Sequence, residues 1–272
     1  MFVVDESGLP KQGKKSAGVS RQYCGAVGKV ANCQVGVYLA GVSPKGQLGV
    51  DKRLYLPEAG VNDPARCEAA RIPENERRPR SKGELALEML SQAKERGALS
   101  ARWVTGDDAY GNSPGFRDGV RALGLEAVLE VSKTTPVWPL EPKKRSPVFS
   151  GRGRPPQSSW DPAQRQTVEE RAAALPPDAW QAIPVDEGAQ GPRIYPFARV
   201  RGRETRDGAP GEVTWVVFRR NLDRSEPRYY FATAQEREED DATGEIQAKV
   251  SARRGPIETE FRTEKGQVGL DE

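Results

Sequence analysis

The stretch from Ser81 to Ser132 constrains the fold of this chain more than any other, because helical and strand patterns alternate there with stop signals between them. SKGELALEMLSQAKERG (residues 81–97) reads as an amphipathic helix. Ser81 stands at the N-cap with Glu84 at the capping-box position, Leu85, Met89 and Ala93 fall on one face, and Gly97 ends the run. WVTGDD then reads as a return strand with carboxylates at its end. After the turn AYGNS, Ser113 and Pro114 cap and open a second helix through GFRDGVRAL, Gly124 stops it, and LEAVLEVS supplies another strand. Following an earlier strand around RLYLP, this alternation predicts an open α/β core.

Upstream, MFVV reads as a short buried strand that delivers Asp5 at its end, and SGLPKQGK as a turn. NCQVGVYLAGVS and RLYLP continue a meander of β-branched and aromatic residues. Lys11, Lys14, Lys15 and Arg21 form a basic connection between the first two strands. Residues 58–80 read as an extended linker rich in proline and charge. Beyond the α/β pattern, KKRSPVFSGRGRPPQSSWDP is a basic, proline- and glycine-rich excursion, followed by a short helix around AQRQTVEERAAAL. RIYPFARVRG, VTWVVFRRNL and RYYFATA are strands of an inserted sheet, and EREEDDATGE is an exposed acidic segment. The basic stretches read equally as loops that track phosphates and as solvated surface.

Composition narrows the chemistry more than the partners. The 272 residues contain no histidine, which removes Ser-His and Cys-His nucleophiles and histidine-containing zinc sites, and leaves carboxylates, lysine, hydroxyls or a bound metal. A formal charge of +3, with 36% of residues hydrophobic, fits neither a disordered chain nor a polycationic tail. Cys24, Cys33 and Cys67 form neither a CxxC pair nor a dense disulfide pattern, so they read as simple thiols in a reducing, cytoplasmic compartment. The opening MFVVDESG lacks the basic start and the long apolar run of a secretory signal, and no uncharged apolar run approaches the roughly 20 residues needed to span a bilayer, so no membrane partner is expected.

Asp5 and Asp107 each lie just beyond a hydrophobic strand, a placement that can set two oxygen ligands at one sheet edge. Glu258, in ARRGPIETEFRTEKGQVGL, would stand on a helix opening near Pro256, with Arg262 and Lys265 on the same side. Three converging carboxylates can hold two magnesium ions, one activating water or a DNA hydroxyl and one stabilising the leaving oxygen. From the residues alone, ordinary surface and helix-end carboxylates are the competing reading.

VVDESGLPKQGKKSAGVSRQYCGAVGKVANCQVGVYLA, RLYLPEAGVNDPARCEAARIP, ARWVTGDDAYGNSPGFRDGVRALGLEAVLEVS and RRGPIETEFRTEKGQVGLDE, in that order, together resemble the DDE-type insertion-sequence transposases, also described as DDE superfamily endonucleases. The resemblance covers almost the whole chain. It implies a ribonuclease-H-like mixed-sheet core with a β-rich insertion before a glutamate-bearing helix: residues 1–135 as the first part of the core, 136–248 as the insertion with its basic segment, and 249–272 as the helical part. It implies Asp5, Asp107 and Glu258 as the catalytic and metal-binding acids. Asp107 is preferred to Asp108 because it opens the D-x-x-Y-G arrangement completed by Tyr110 and Gly111.

Ser251, Arg254, Glu258 and Lys265 match the spacing of the family's tyrosine, arginine, glutamate and lysine, with serine in place of tyrosine. Arg254 and Lys265 are thereby implied in holding phosphates or organising the glutamate. Arg21 and Tyr23 in SRQYCG resemble another family signature, and with Lys11, Lys14 and Lys15 they are expected to contact DNA or support the site. The implied activity is Mg²⁺-dependent cleavage and strand transfer at insertion-sequence ends, with Mn²⁺ as a substitute. The implied partners are double-stranded DNA at the terminal repeats, target DNA and a second copy in a homodimer on DNA, with nucleoid association when bound. The alternatives are a catalytically inactive DNA-binding remnant and a generic metal-dependent DNA endonuclease. The family's usual N-terminal region and C-terminal end are expected to be missing.

Overall fold

The first strand reaches well past its apolar start. In the computed structural model, which describes residues 1–43, 45–97, 100–144, 160–188, 191–220, 227–233 and 241–252, β1 spans Phe2–Pro10. It pairs antiparallel with β3 (Lys29–Ser43) over its whole length, from Phe2↔Gly41 to Pro10↔Cys33. The expected turn at SGLP is therefore strand, and Asp5 lies in the middle of β1 rather than at its end. Gly8 is there for packing: a Cβ on it would stand 2.6 Å from Cys24 Sγ.

The described chain divides into two units, Met1–Gly106 with Asp118–Leu125, and Asp107–Arg117 with Glu126–Ala252. In the first, β4 (Gly46–Tyr55) pairs antiparallel with β3, giving the expected meander, and β2 (Ser20–Cys24) also pairs antiparallel with β3, so Arg21 stands on a strand rather than in the basic connection expected there. Residues 58–80 are more ordered than a linker, with short helices α1 (Glu58–Val61) and α2 (Pro64–Ala69). The second is started by Asp63, whose side chain accepts from the Arg66 amide, and by Pro64 in its first turn. Helix α3 (Lys82–Arg96) has both halves of the capping box between Ser81 and Glu84, ends at Gly97 in the left-handed conformation, and buries Leu85, Ala86, Met89, Leu90 and Ala93. Strand β5 (Trp103–Gly106) then runs parallel to β1.

The second unit opens with the single-turn helix α4 (Asp108–Gly111), and α5 (Pro114–Ala122) follows the Ser113 cap. Its sheet runs in the order β6 (Glu126–Val131), β12 (Arg228–Ala232), β11 (Ala209–Arg219), β10 (Gly191–Arg206), β7 (Pro136–Pro139) and β8 (Gln166–Thr167). β9 (Gln181–Gly188) flanks the first part of β10, and β7 pairs with its later part. Ala198, Val216, Phe218, Tyr229 and Phe231 pack from one face of this sheet against Val168 and Ala172 of α6 (Val168–Ala173). α7 (Asp241–Ala252) begins inside the segment expected to be acidic surface. Its central residues Gln247, Ala248, Val250 and Ser251 are buried, and that is the reason the acidic run continues into helix. Overall the architecture is mixed α/β, as the alternating pattern predicts. Most of the basic excursion, residues 145–159, lies outside the described residues.

Candidate active site

Asp5 faces Tyr38 across the β1–β3 ladder and is only 6% exposed. It is a carboxylate carried on a strand with partners on both sides, since β1 also pairs with β5 through Phe2↔Val104 and Val3↔Thr105. One Asp5 oxygen accepts the Glu6 amide at 2.8 Å. Glu6 in turn makes an ion pair with Lys82 in the first turn of α3, 2.7 Å apart, and Lys82 also lies over the Tyr55 ring. That pair ties α3 to the strand beside Asp5.

Asp107 follows β5 directly and caps α4, its side chain accepting from the Ala109 amide at 3.1 Å. A one-turn helix has almost no stability of its own, so its anchors fix the direction of this acid. Tyr110 is buried and packs against Phe116, ring centroids 5.1 Å apart. Gly111 lies against the backbone of β6, where a Cβ would meet the Glu130 carbonyl oxygen and stand 2.8 Å from its carbon. The tyrosine and glycine of the D-x-x-Y-G arrangement are thus the buried side of the turn that carries Asp107. Arg117 donates one guanidinium nitrogen to the Gly111 carbonyl and another to Glu204 Oε2 at 2.9 Å. Arg117 and Glu204 are 3% and 0% exposed, and Arg206 donates to the same Glu204 oxygen at 2.6 Å.

Of the basic residues, Lys14, Lys15 and Arg21 are exposed and Lys11 is half-buried. Asn32 holds the loop to β3 by donating to the Lys11 and Gly13 carbonyls at 2.6 and 2.9 Å. Arg21 and Tyr23 share the outer side of β2, and Tyr23 is 58% exposed. Ser251 is buried in α7, its hydroxyl donating to the Ala248 carbonyl at 2.8 Å. Arg254, Glu258, Arg262 and Lys265 lie outside the described residues.

Residues 1–192 match the family model described as DDE superfamily endonuclease. The chain belongs to this family. No curated protein matches it. Asp5 and Asp107 of this DDE superfamily endonuclease fall inside the matched region, as do α4 and the basic loop. Among the described residues no three His, Cys, Asp or Glu side chains form a group that could hold a metal ion.

Sequence reasoning singled out Asp5, Asp107, Tyr110 and Gly111 because each ends or opens a recognisable local pattern. It missed Glu6, Lys82, Arg117 and Glu204, whose partners are 76 and 87 residues away along the chain. No local signal marks such pairs, since either arginine or glutamate alone is indistinguishable from surface charge.

Proposed function

We propose that this DDE superfamily endonuclease is the catalytic region of a DNA transposase that cuts and joins strands at insertion-sequence ends, with Asp5, Asp107 and Glu258 as its acids. The observation that carries the reading is the family match over residues 1–192 together with the β1–β5 register. Val3 and Thr105 pair on parallel strands; Asp5 follows Val3 by two residues on β1, and Asp107 follows Thr105 by two residues, just past the end of β5. An antiparallel meander joined through a helix to a parallel strand supports a ribonuclease-H-like core spanning residues 1–135. Strands β7 to β12 then belong to a β-rich insertion over residues 136–248, and residues 249–272 carry the glutamate.

The donor set fits a hard divalent cation. The chain has no histidine, and the two aspartates offer oxygen ligands of the kind Mg²⁺ and Mn²⁺ take. Asp5, Asp107 and Glu258 would hold the metal, which when bound would activate the attacking oxygen and neutralise charge at the scissile phosphate. Asp5 is held by the β1 ladder and Asp107 by the α4 turn, so neither needs to reorganise as charge develops. Lys14, Lys15, Arg21 and Tyr23 would take the DNA backbone, and Arg254 and Lys265 the phosphate near Glu258. The expected partners are terminal-repeat and target DNA, with a homodimer assembled on them. The inactive remnant is the second reading. Ser251 favours it, since a hydroxyl bonded inside its own helix supplies neither an aromatic surface nor a proton at the site.

The test incubates the purified chain with DNA carrying the terminal repeats that flank its coding element, in Mg²⁺ or Mn²⁺, beside Asp5→Asn, Asp107→Asn, Asp108→Asn and Glu258→Gln. Metal-dependent nicking or joining that survives only in Asp108→Asn supports the assignment. Activity equal in all variants rejects these acids, and repeat-specific binding without cleavage identifies the remnant.

A further inference from the structure

We infer that Arg117 and Glu204 are positioning residues that set the direction of Asp107 by clamping the far end of α4 to β10. The inference rests on reading Asp107 as a metal ligand and adds how that ligand is held. The guanidinium spans two acceptors at once, the carbonyl of Gly111, which is the last residue of α4, and the carboxylate of Glu204 on β10. Asp107 caps the other end of the same turn, only four residues from Gly111. Any tilt of α4 at Gly111 is therefore transmitted to the acid.

A buried arginine–glutamate pair is an expensive way to fill space, because both ions lose water and an apolar pair of the same volume serves packing as well or better. What the guanidinium adds is direction: a planar fork that bonds a carbonyl and a carboxylate at fixed angles. The rest of the surroundings hold that fork still. Phe231 lies under the guanidinium at 5.4 Å, and Arg206 holds the Glu204 oxygen from its other side at 2.6 Å. The Arg117 Nε has no partner among the described residues, so the two outer nitrogens make the directional contacts. In this arrangement a strand of the inserted sheet governs the geometry of an acid at the end of β5.

The experiment uses the full chain and the variants Glu204→Gln, Arg117→Lys and Asp107→Asn, with Mn²⁺ as probe. Mn²⁺ affinity is read by electron paramagnetic resonance, and hydrogen exchange is followed in the peptide spanning residues 107–112. The Ala109, Tyr110, Gly111 and Asn112 amides there all bond back to Asp107 or Asp108. Glu204→Gln keeps an acceptor for Arg117 and Arg117→Lys keeps the charge, so at least one is expected to fold. The expected result is Mn²⁺ binding weakened roughly tenfold or more, the scale seen when partners of metal ligands are removed. Exchange is expected to accelerate in residues 107–112 while the remaining peptides keep wild-type protection. In an Asp107→Asn background, Glu204→Gln should change Mn²⁺ binding no further. Unchanged protection of residues 107–112, or loss spread evenly over the second unit, overturns the inference. If the wild type binds Mn²⁺ no better than Asp107→Asn, the metal reading fails instead, and the exchange result alone decides whether the clamp holds α4.

Discussion

Replacing Gly111 with alanine tests whether the turn bearing Asp107 has room to move. The added Cβ would lie 2.8 Å from the Glu130 carbonyl carbon and closer still to its oxygen. Both are backbone atoms of β6, so no side-chain rotation relieves the contact. Carbon atoms settle at roughly 3.5–4 Å, so α4 would have to retreat from β6 by on the order of 1 Å. Overpacking of this kind costs about 1–3 kcal/mol, which for a chain of this size is a melting temperature lower by roughly 2–10 °C. The same displacement moves Asp107, the proposed metal ligand, and about 1 Å at a reacting centre is worth on the order of 100-fold in rate. Scanning calorimetry and metal-dependent nicking of terminal-repeat DNA measure the two effects. Gly115→Ala is the control, since a Cβ there meets nothing within 4 Å. Wild-type melting and nicking in Gly111→Ala would refute the close approach and the role given to it.

Charge removal at the basic loop should act on affinity alone: Lys14→Ala with Lys15→Ala should lower the slope of log K against log salt for duplex DNA by about 1.8, at roughly 0.9 per phosphate contact, read by fluorescence anisotropy. Ser81→Ala should cost about 1 kcal/mol of stability in urea denaturation, the usual worth of an N-cap. The Ser81 backbone amide, and then its hydroxyl partner, hold the Glu84 carboxyl below its ordinary 4.5. Its contribution is therefore complete above that pH and lost as pH falls through the folded value, and Glu84→Gln should flatten this acid limb. Burial, and after it neighbouring Cys24, push the Cys33 thiol up to about 11 from 9.0. A raised thiol favours the folded state below pH 9.0, and that contribution disappears by about pH 11. Cys33→Ala should remove this part of the alkaline destabilisation, and a thiol reagent at pH 8 should label Cys33 only as fast as the chain unfolds.

Helix α3 was legible in full because its signals are local: Ser81 and Glu84 satisfy each other's amides within one turn, and Gly97 adopts the left-handed conformation that ends it. The acid after β5 was legible for the same reason. Asp5 was located by type and misplaced by element. Gly8 and Pro10 look like turn residues until β3 supplies ladder partners and Cys24 explains the missing side chain. The Arg117–Glu204 pair was invisible, since only the folded chain brings residue 204 to Arg117 on α5. The pairing of β10 with β11 and β7 was likewise hidden, because periodicity reports which residues face a core and not which strand lies alongside.

The pairings around β3 and the pairing of β1 with β5 differ greatly in span. The hairpin contacts of β2 and β4 with β3 close over a few residues, whereas Val3↔Thr105 closes about 100 residues of chain. Short closures form early and long ones late, because the chain entropy of a large loop must be overcome before its contacts repay it. Folding order follows from these spans: β5, the strand that leads into Asp107, is the last strand of the first unit to be seated, after the hairpins around β3 have set the framework that receives it.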